Sequence, residues 1–158
     1  MKRIILFSLI NIICVLSFSQ GIYIKNKNYK GYIFPKECDV DVFPRTPNSF
    51  TPSVEDVEEA ERILREYFQN RSFEINDEYP PINKKTLKDY YRQYIGEIKD
   101  GNKIIFINFI HKTEKDTSFS EEMKKQLIYV LDGGTYYWRI YIDITSGKVL
   151  EMTLNGVA

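Results

Sequence analysis

Histidine and cysteine are the scarcest reactive residues of this 158-residue chain: there is one histidine, His111, and there are two cysteines, Cys14 and Cys38. Zinc sites draw on clusters of those two residue types at ligand spacing, so no metal site is expected. Charge of one sign is missing as well, because 22 lysines and arginines face 22 aspartates and glutamates. A balanced chain presents no global field to nucleic acid or to an anionic bilayer, which leaves only local patches as a source of electrostatic attraction. Glycine is sparse at 8 residues, and Asp132-Gly133-Gly134 belongs to neither G-x-x-x-x-G-K-[ST] nor G-x-G-x-x-G, so no phosphate-cradling loop and no nucleotide cofactor are expected. Internal repeats of the solenoid kind are absent.

What is present begins with the one long apolar run. Lys2 and Arg3 precede Ile4–Phe18, and Ser17-Phe18-Ser19 places small residues before a cut. This is the pattern of a signal peptide spanning residues 1–19, cleaved after Ser19. A run of about 15 apolar residues falls short of the roughly 20 that a spanning helix needs, so no transmembrane segment is expected after cleavage. The implied address is secreted or periplasmic. Cleavage removes Cys14 and leaves Cys38, which has no internal disulfide partner and sits between Glu37 and Asp39, charges that disfavour a reactive thiolate.

With 43% hydrophobic and 15% aromatic residues, the remainder can build a true core. Residues 20–52 show no sustained period and carry Pro35, Pro44, Pro47 and Pro52, so they are expected as an extended, irregular N-terminal arm with at most one added strand near Tyr29–Phe34. Residues 53–158 form a single α+β domain. Ser53 caps a helix over Ser53–Asn70, with Glu55, Asp56, Glu58 and Glu59 near its positive end and Val57, Ala60, Ile63, Leu64, Tyr67 and Phe68 forming one apolar stripe. Leu87, Tyr90, Tyr91 and Tyr94 fit a helix or a strand. Asp100-Gly101 decides for a hairpin of Tyr91–Ile98 and Lys103–Lys112, because both residues suit the positive φ angles of a tight turn. Gly96 then marks a bulge or the close approach of another backbone. Along the third strand, Tyr136, Trp138, Ile140, Ile142 and Ile144 share the core face while Tyr137, Arg139, Tyr141 and Asp143 share the other. Thr145-Ser146-Gly147 turns the chain, and Leu150, Met152 and Leu154 return the last strand to the same core.

One long helix packed on a curled four-stranded antiparallel sheet is the fold these elements imply. The Asp132-Gly133-Gly134 segment, the Tyr136–Asp143 strand and the closing Asn155-Gly156 resemble small uncharacterised secreted bacterial proteins of cystatin-like fold, with NTF2-like proteins as the neighbouring alternative. The resemblance implies a fold and an exported address but no activity. The Q-x-V-x-G hairpin of protease-blocking cystatins is absent; Tyr94-Ile95-Gly96-Glu97 is the nearest analogue.

The chemistry of the chain assigns no catalytic residue. His111 ends its strand with no serine, cysteine or aspartate near it in sequence that completes a triad motif. The expected binding residues are instead Tyr137, Arg139 and Tyr141 on the outer sheet face, joined by Tyr90, Arg92 and Tyr94 or by their alternates, since Tyr and Arg are enriched at the energetic centres of interfaces. The function implied is a secreted, non-enzymatic binding domain for an unidentified protein or glycan. Two alternatives stand beside it: an NTF2-like pocket enzyme or ligand carrier, and a structural, envelope-associated accessory protein.

Overall fold

The computed structural model describes residues 20–40, 43–112 and 117–157. Residues 1–19, which the sequence reading assigns to a signal peptide, lie outside the described residues. The architecture differs from the sequence expectation. In place of a four-stranded antiparallel sheet, the described residues form one seven-stranded mixed sheet, and the helix on it is short, Val54–Tyr67 (α1).

Three of the seven strands come from the arm, where the sequence reading placed one, near Tyr29–Phe34. Ile22–Lys25 (β1) pairs antiparallel with Lys30–Ile33 (β2), and Ser49–Phe50 is β3. The other four are Tyr90–Lys99 (β6), Asn102–His111 (β7), Tyr137–Asp143 (β8) and Lys148–Leu154 (β9). Ser72–Phe73 (β4) and Ile82–Asn83 (β5) form a separate two-stranded ribbon. The main order is β1-β2-β6-β7-β8-β9, with β3 antiparallel on the same edge of β6 that β2 occupies further along. The β2–β6 pairing is parallel, with Gly31 opposite Arg92 and Ile33 opposite Tyr94.

Glycine makes this pairing possible. A Cβ at Gly31 would lie 2.0 Å from the Arg92 carbonyl oxygen, so any side chain there pushes β2 off the sheet. Gly96 is the equivalent for β3, where a Cβ would meet the Phe50 carbonyl oxygen at 2.7 Å. The central hairpin turns where the sequence places it: Asp100 and Gly101 take φ of 52° and 82°, and Lys99 pairs with Asn102 across them.

The helix starts at a full capping box, in which the Ser53 hydroxyl accepts from the Asp56 N–H and the Asp56 carboxylate accepts from the Ser53 N–H. Its stripe, Val57, Ala60, Ile63 and Leu64, followed by Phe68, packs on Tyr94, Ile105, Ile107, Phe109, Trp138, Ile140 and Ile142. Trp138 stacks on Phe109 with ring centroids 3.6 Å apart. In β9 a bulge sets Val149, not Leu150, opposite Ile142, so Leu150 is 51% exposed while Met152 and Leu154 lie against the core.

The opposite face of the sheet is also covered. The loop after β2 lays Phe34, Cys38 and Val40 on Ile95 and Phe106. A second helix, Thr117–Lys125 (α2), and the strap that follows it lay Met123 and Ile128 on Ile110, Tyr91 and Tyr137. No helix among the described residues is long and apolar enough to cross a membrane.

Burial of tyrosines should make this core sensitive to alkali. Desolvation, reinforced by the Glu61 charge, holds the Tyr94 phenol well above its usual value, and desolvation likewise raises Tyr90. A group raised in the folded state contributes stability that is whole below the unfolded value near pH 10. That stability is lost as pH climbs from there toward the folded value, at about 1.4 kcal/mol per pH unit for each such tyrosine. Urea midpoints at about pH 9 and about pH 11 should therefore fall steeply, and Tyr94→Phe should make the fall shallower. An unchanged slope in that variant would place the alkaline sensitivity elsewhere.

Candidate binding groove

Arg139 and Tyr141 open into a groove of about 300 Å³ lined by Phe43, Phe106, Leu127, Tyr129, Arg139, Tyr141, Glu151 and Thr153. Its floor is strands β7 to β9, where Phe106 pairs with Tyr141 and Tyr141 with Glu151. Its walls are two irregular segments, the first fixed by a half-buried arginine and the second by buried amides.

The first wall is the proline-rich loop, held by Arg45. That guanidinium donates to the carbonyl oxygens of Cys38 (2.9 Å), Pro35 (2.8 Å) and Phe34 (3.3 Å). Charged donors on backbone carbonyls are the stronger kind of hydrogen bond, and three of them turn a segment without regular structure into a defined wall. The loop thereby delivers the Phe43 ring to 5.1 Å from Phe106, which in turn lies 5.0 Å from Tyr141, a continuous aromatic run. Cys38 is buried behind this wall, and burial pushes its thiol above the ordinary range despite the nearby Arg45.

The second wall is the strap after α2, held by two buried amides of the sheet. Gln93 donates to the carbonyls of Met123 (2.8 Å) and Gln126 (2.7 Å) and accepts from the Ile128 N–H (2.9 Å). Asn108 donates to the Gln93 side-chain oxygen (2.9 Å) and to the backbone carbonyl of Ile128 (2.7 Å). The strap thus sets Leu127 inward and leaves Tyr129 47% exposed at the rim. Asn155 finishes the wall by donating to the carbonyls of Val130 (2.6 Å) and Asp132 (3.0 Å) while accepting from Arg139 Nη2 at 2.8 Å. Arg139 is held from the other side by the Tyr129 ring, 4.6 Å from its guanidinium carbon. The Tyr141 phenol is raised by burial and by Glu151, so it remains a neutral hydroxyl through the physiological range.

Comparisons with family models, with curated proteins and with solved structures found no match. The groove is accordingly read from its own chemistry. Of the three residues that alternation selects, Arg139 and Tyr141 line it. Tyr137 does not: it packs with Ile110, Met123 and Ile128, and a Cβ on Gly133 would lie 2.9 Å from its ring. The hairpin residues that join this face are Tyr91, Gln93 and Ile95, the alternates, whereas Tyr90, Arg92 and Tyr94 point to α1. His111 is wedged edge-on between Tyr90 (5.0 Å) and Tyr136 (5.3 Å), and burial lowers its pKa.

Sequence reasoning missed Arg45, Gln93, Asn108 and Asn155. Gln93 and Asn108 carry a detectable signal, being amides between large apolar neighbours in strands that are otherwise buried. Arg45 carries none, since nothing local shows which carbonyls it reaches.

The core side of the sheet holds an ionisable group that the sequence reading had not placed. Glu61 of α1 accepts from Arg92 Nε (3.1 Å) and from the Tyr94 hydroxyl (3.0 Å), with Arg65 at 3.7 Å. Glu61 is 1% and Arg92 0% exposed. At that burial no substrate reaches them in this conformation, and the network joins helix to sheet.

Proposed function

We propose that this protein is an exported binding domain that holds a saccharide chain in the groove between the proline-rich loop and the α2 strap. The observation that carries this reading is the combination of an aromatic run, Phe43–Phe106–Tyr141, with an anchored Arg139 and an exposed Glu151 in one concavity. Sugars present apolar C–H faces that lie on aromatic rings and hydroxyls that bond in pairs to guanidinium and carboxylate, so this mixture suits them. A concavity of a few hundred Å³ is the scale of a small-ligand site, whereas protein partners bury broader and flatter surfaces. The exported address rests on the sequence pattern of residues 1–19.

The test is a glycan array probed with wild-type protein and with Arg139→Ala/Tyr141→Ala. Wild type should retain a defined subset of oligosaccharides, and the double variant should lose at least about tenfold in affinity while keeping its near-ultraviolet circular dichroism. Equal retention by both proteins, or retention of none by wild type, would sink the saccharide reading. Capture of a protein through the same two residues would replace it with the protein-partner reading.

A further inference from the structure

A second concavity, sharing no residue with the groove, lies where the β1–β2 turn meets the ends of β6 and β7. It measures about 320 Å³ and is lined by residues 25–30, Lys88, Asp89 and Lys112. Five of those residues are lysines, Lys25, Lys27, Lys30, Lys88 and Lys112, against the single acid Asp89. In a chain whose charges balance overall, this is a strong local excess.

The cleft is built rather than incidental. The turn is fixed by Asn26, whose side-chain oxygen accepts from the N–H groups of Asn28 (2.8 Å) and Tyr29 (3.1 Å). Lys30 is steered by a 2.9 Å hydrogen bond to the Tyr91 hydroxyl, with its ammonium over that ring. Lys112 reaches the Lys88 carbonyl, and its backbone N–H donates to the Asp89 carbonyl at 2.9 Å, which clamps the two sides together. Arg92 lies behind the cleft in the protein interior, where its charge is paired with Glu61 at 3.1 Å. It is fully buried, its Nη1 points to the Tyr90 carbonyl beside Asp89, and its Nη2 has no hydrogen-bond partner among the described residues. The Lys112 ammonium is held below its usual pKa first by burial and then by Lys30 and Arg92, so the cations repel one another across the cleft. A polyanion in the cleft relieves that repulsion.

We propose that this lysine cleft binds a soluble, multiply charged phosphate compound, a polyphosphate or a phosphate ester. Lysine ammoniums act as mobile point charges and suit phosphate oxygens that are not held in one fixed plane. The concavity favours a compact free anion over a flat phospholipid surface.

The experiment is calorimetric titration of the protein with tripolyphosphate at about 50 mM and about 300 mM salt, the screening length shrinking between the two. Saturable binding is expected, weaker by at least about fivefold at the higher salt. Lys88→Gln/Lys112→Gln should weaken it by at least about tenfold, and Lys84→Gln/Lys85→Gln, which changes neighbouring exposed lysines outside the cleft, should not. If the first variant fails to fold, Lys25→Gln/Lys27→Gln on the exposed turn serves in its place. No saturable binding, or equal weakening by the control pair, overturns the proposal. So does binding confined to phosphatidylglycerol vesicles, which would make the lysines a membrane-facing patch. Failure here leaves the saccharide groove untouched, because Arg139 and Tyr141 take no part in the cleft.

Discussion

Glu61→Leu is expected to destabilise the protein by about 3–5 kcal/mol, because it leaves the Arg92 guanidinium buried without a carboxylate. Arg92 then keeps only the Tyr90 carbonyl, at 2.5 Å, and the Phe109 ring, 5.1 Å from its guanidinium carbon. Arg92→Met should cost less, since Glu61 retains the Tyr94 hydroxyl and lies near Arg65, which reaches partly into solvent. The double variant Glu61→Leu/Arg92→Met should be more stable than Glu61→Leu alone, as replacing both members of a buried pair by apolar groups removes two desolvation costs together. Urea denaturation of the four proteins measures this as a cycle. Strictly additive costs would show that the pair is not coupled, in conflict with the 3.1 Å contact.

Gln93→Leu is the second large effect, expected at about 3 kcal/mol or more. Removing this amide strands the carbonyls of Met123 and Gln126 and the N–H of Ile128, and a buried group left without a partner costs about 1–3 kcal/mol. The loss should concentrate in the strap, not in the α1 side of the sheet. Hydrogen exchange should therefore show the Ile128 amide losing protection while amides of Ile105 and Ile107 keep theirs. Because the strap carries Leu127 and Tyr129, the same variant should weaken any ligand of the groove without touching a groove residue. Uniform loss of protection would show the strap and the sheet to be one cooperative unit.

The legibility of this fold tracks how local its determinants are. Asp100-Gly101 fixes a two-residue turn by itself, Ser53 and Asp56 cap a helix within four residues, and alternation along 136–144 assigns Trp138, Ile140 and Ile142 to one face. Each rests on a period or a dihedral preference contained in a short window. The arm at 20–52 fails that condition. Gly31-Tyr32-Ile33 is too short to show a period, and its partner, β6, lies some sixty residues away, so the parallel β2–β6 pairing, and with it the expansion from four strands to seven, is settled only when the chain closes on itself. The expectation of one long helix on a four-stranded antiparallel sheet fell on this point.

The candidate site divides in the same way. The chain alone marked Tyr137, Arg139 and Tyr141 as one outward row, because strand alternation is a covalent consequence of extended backbone. Which of the three lines the groove was decided by what folds over that row. The strap packs Met123 and Ile128 against a half-buried Tyr137, while the loop pinned by Arg45 sets Phe43 beside Phe106 and leaves Arg139 and Tyr141 facing a groove. Periodicity determines direction and requires only near neighbours. Cover depends on long-range hydrogen bonds such as those of Arg45, Gln93 and Asn155, and these exist only in the assembled tertiary structure.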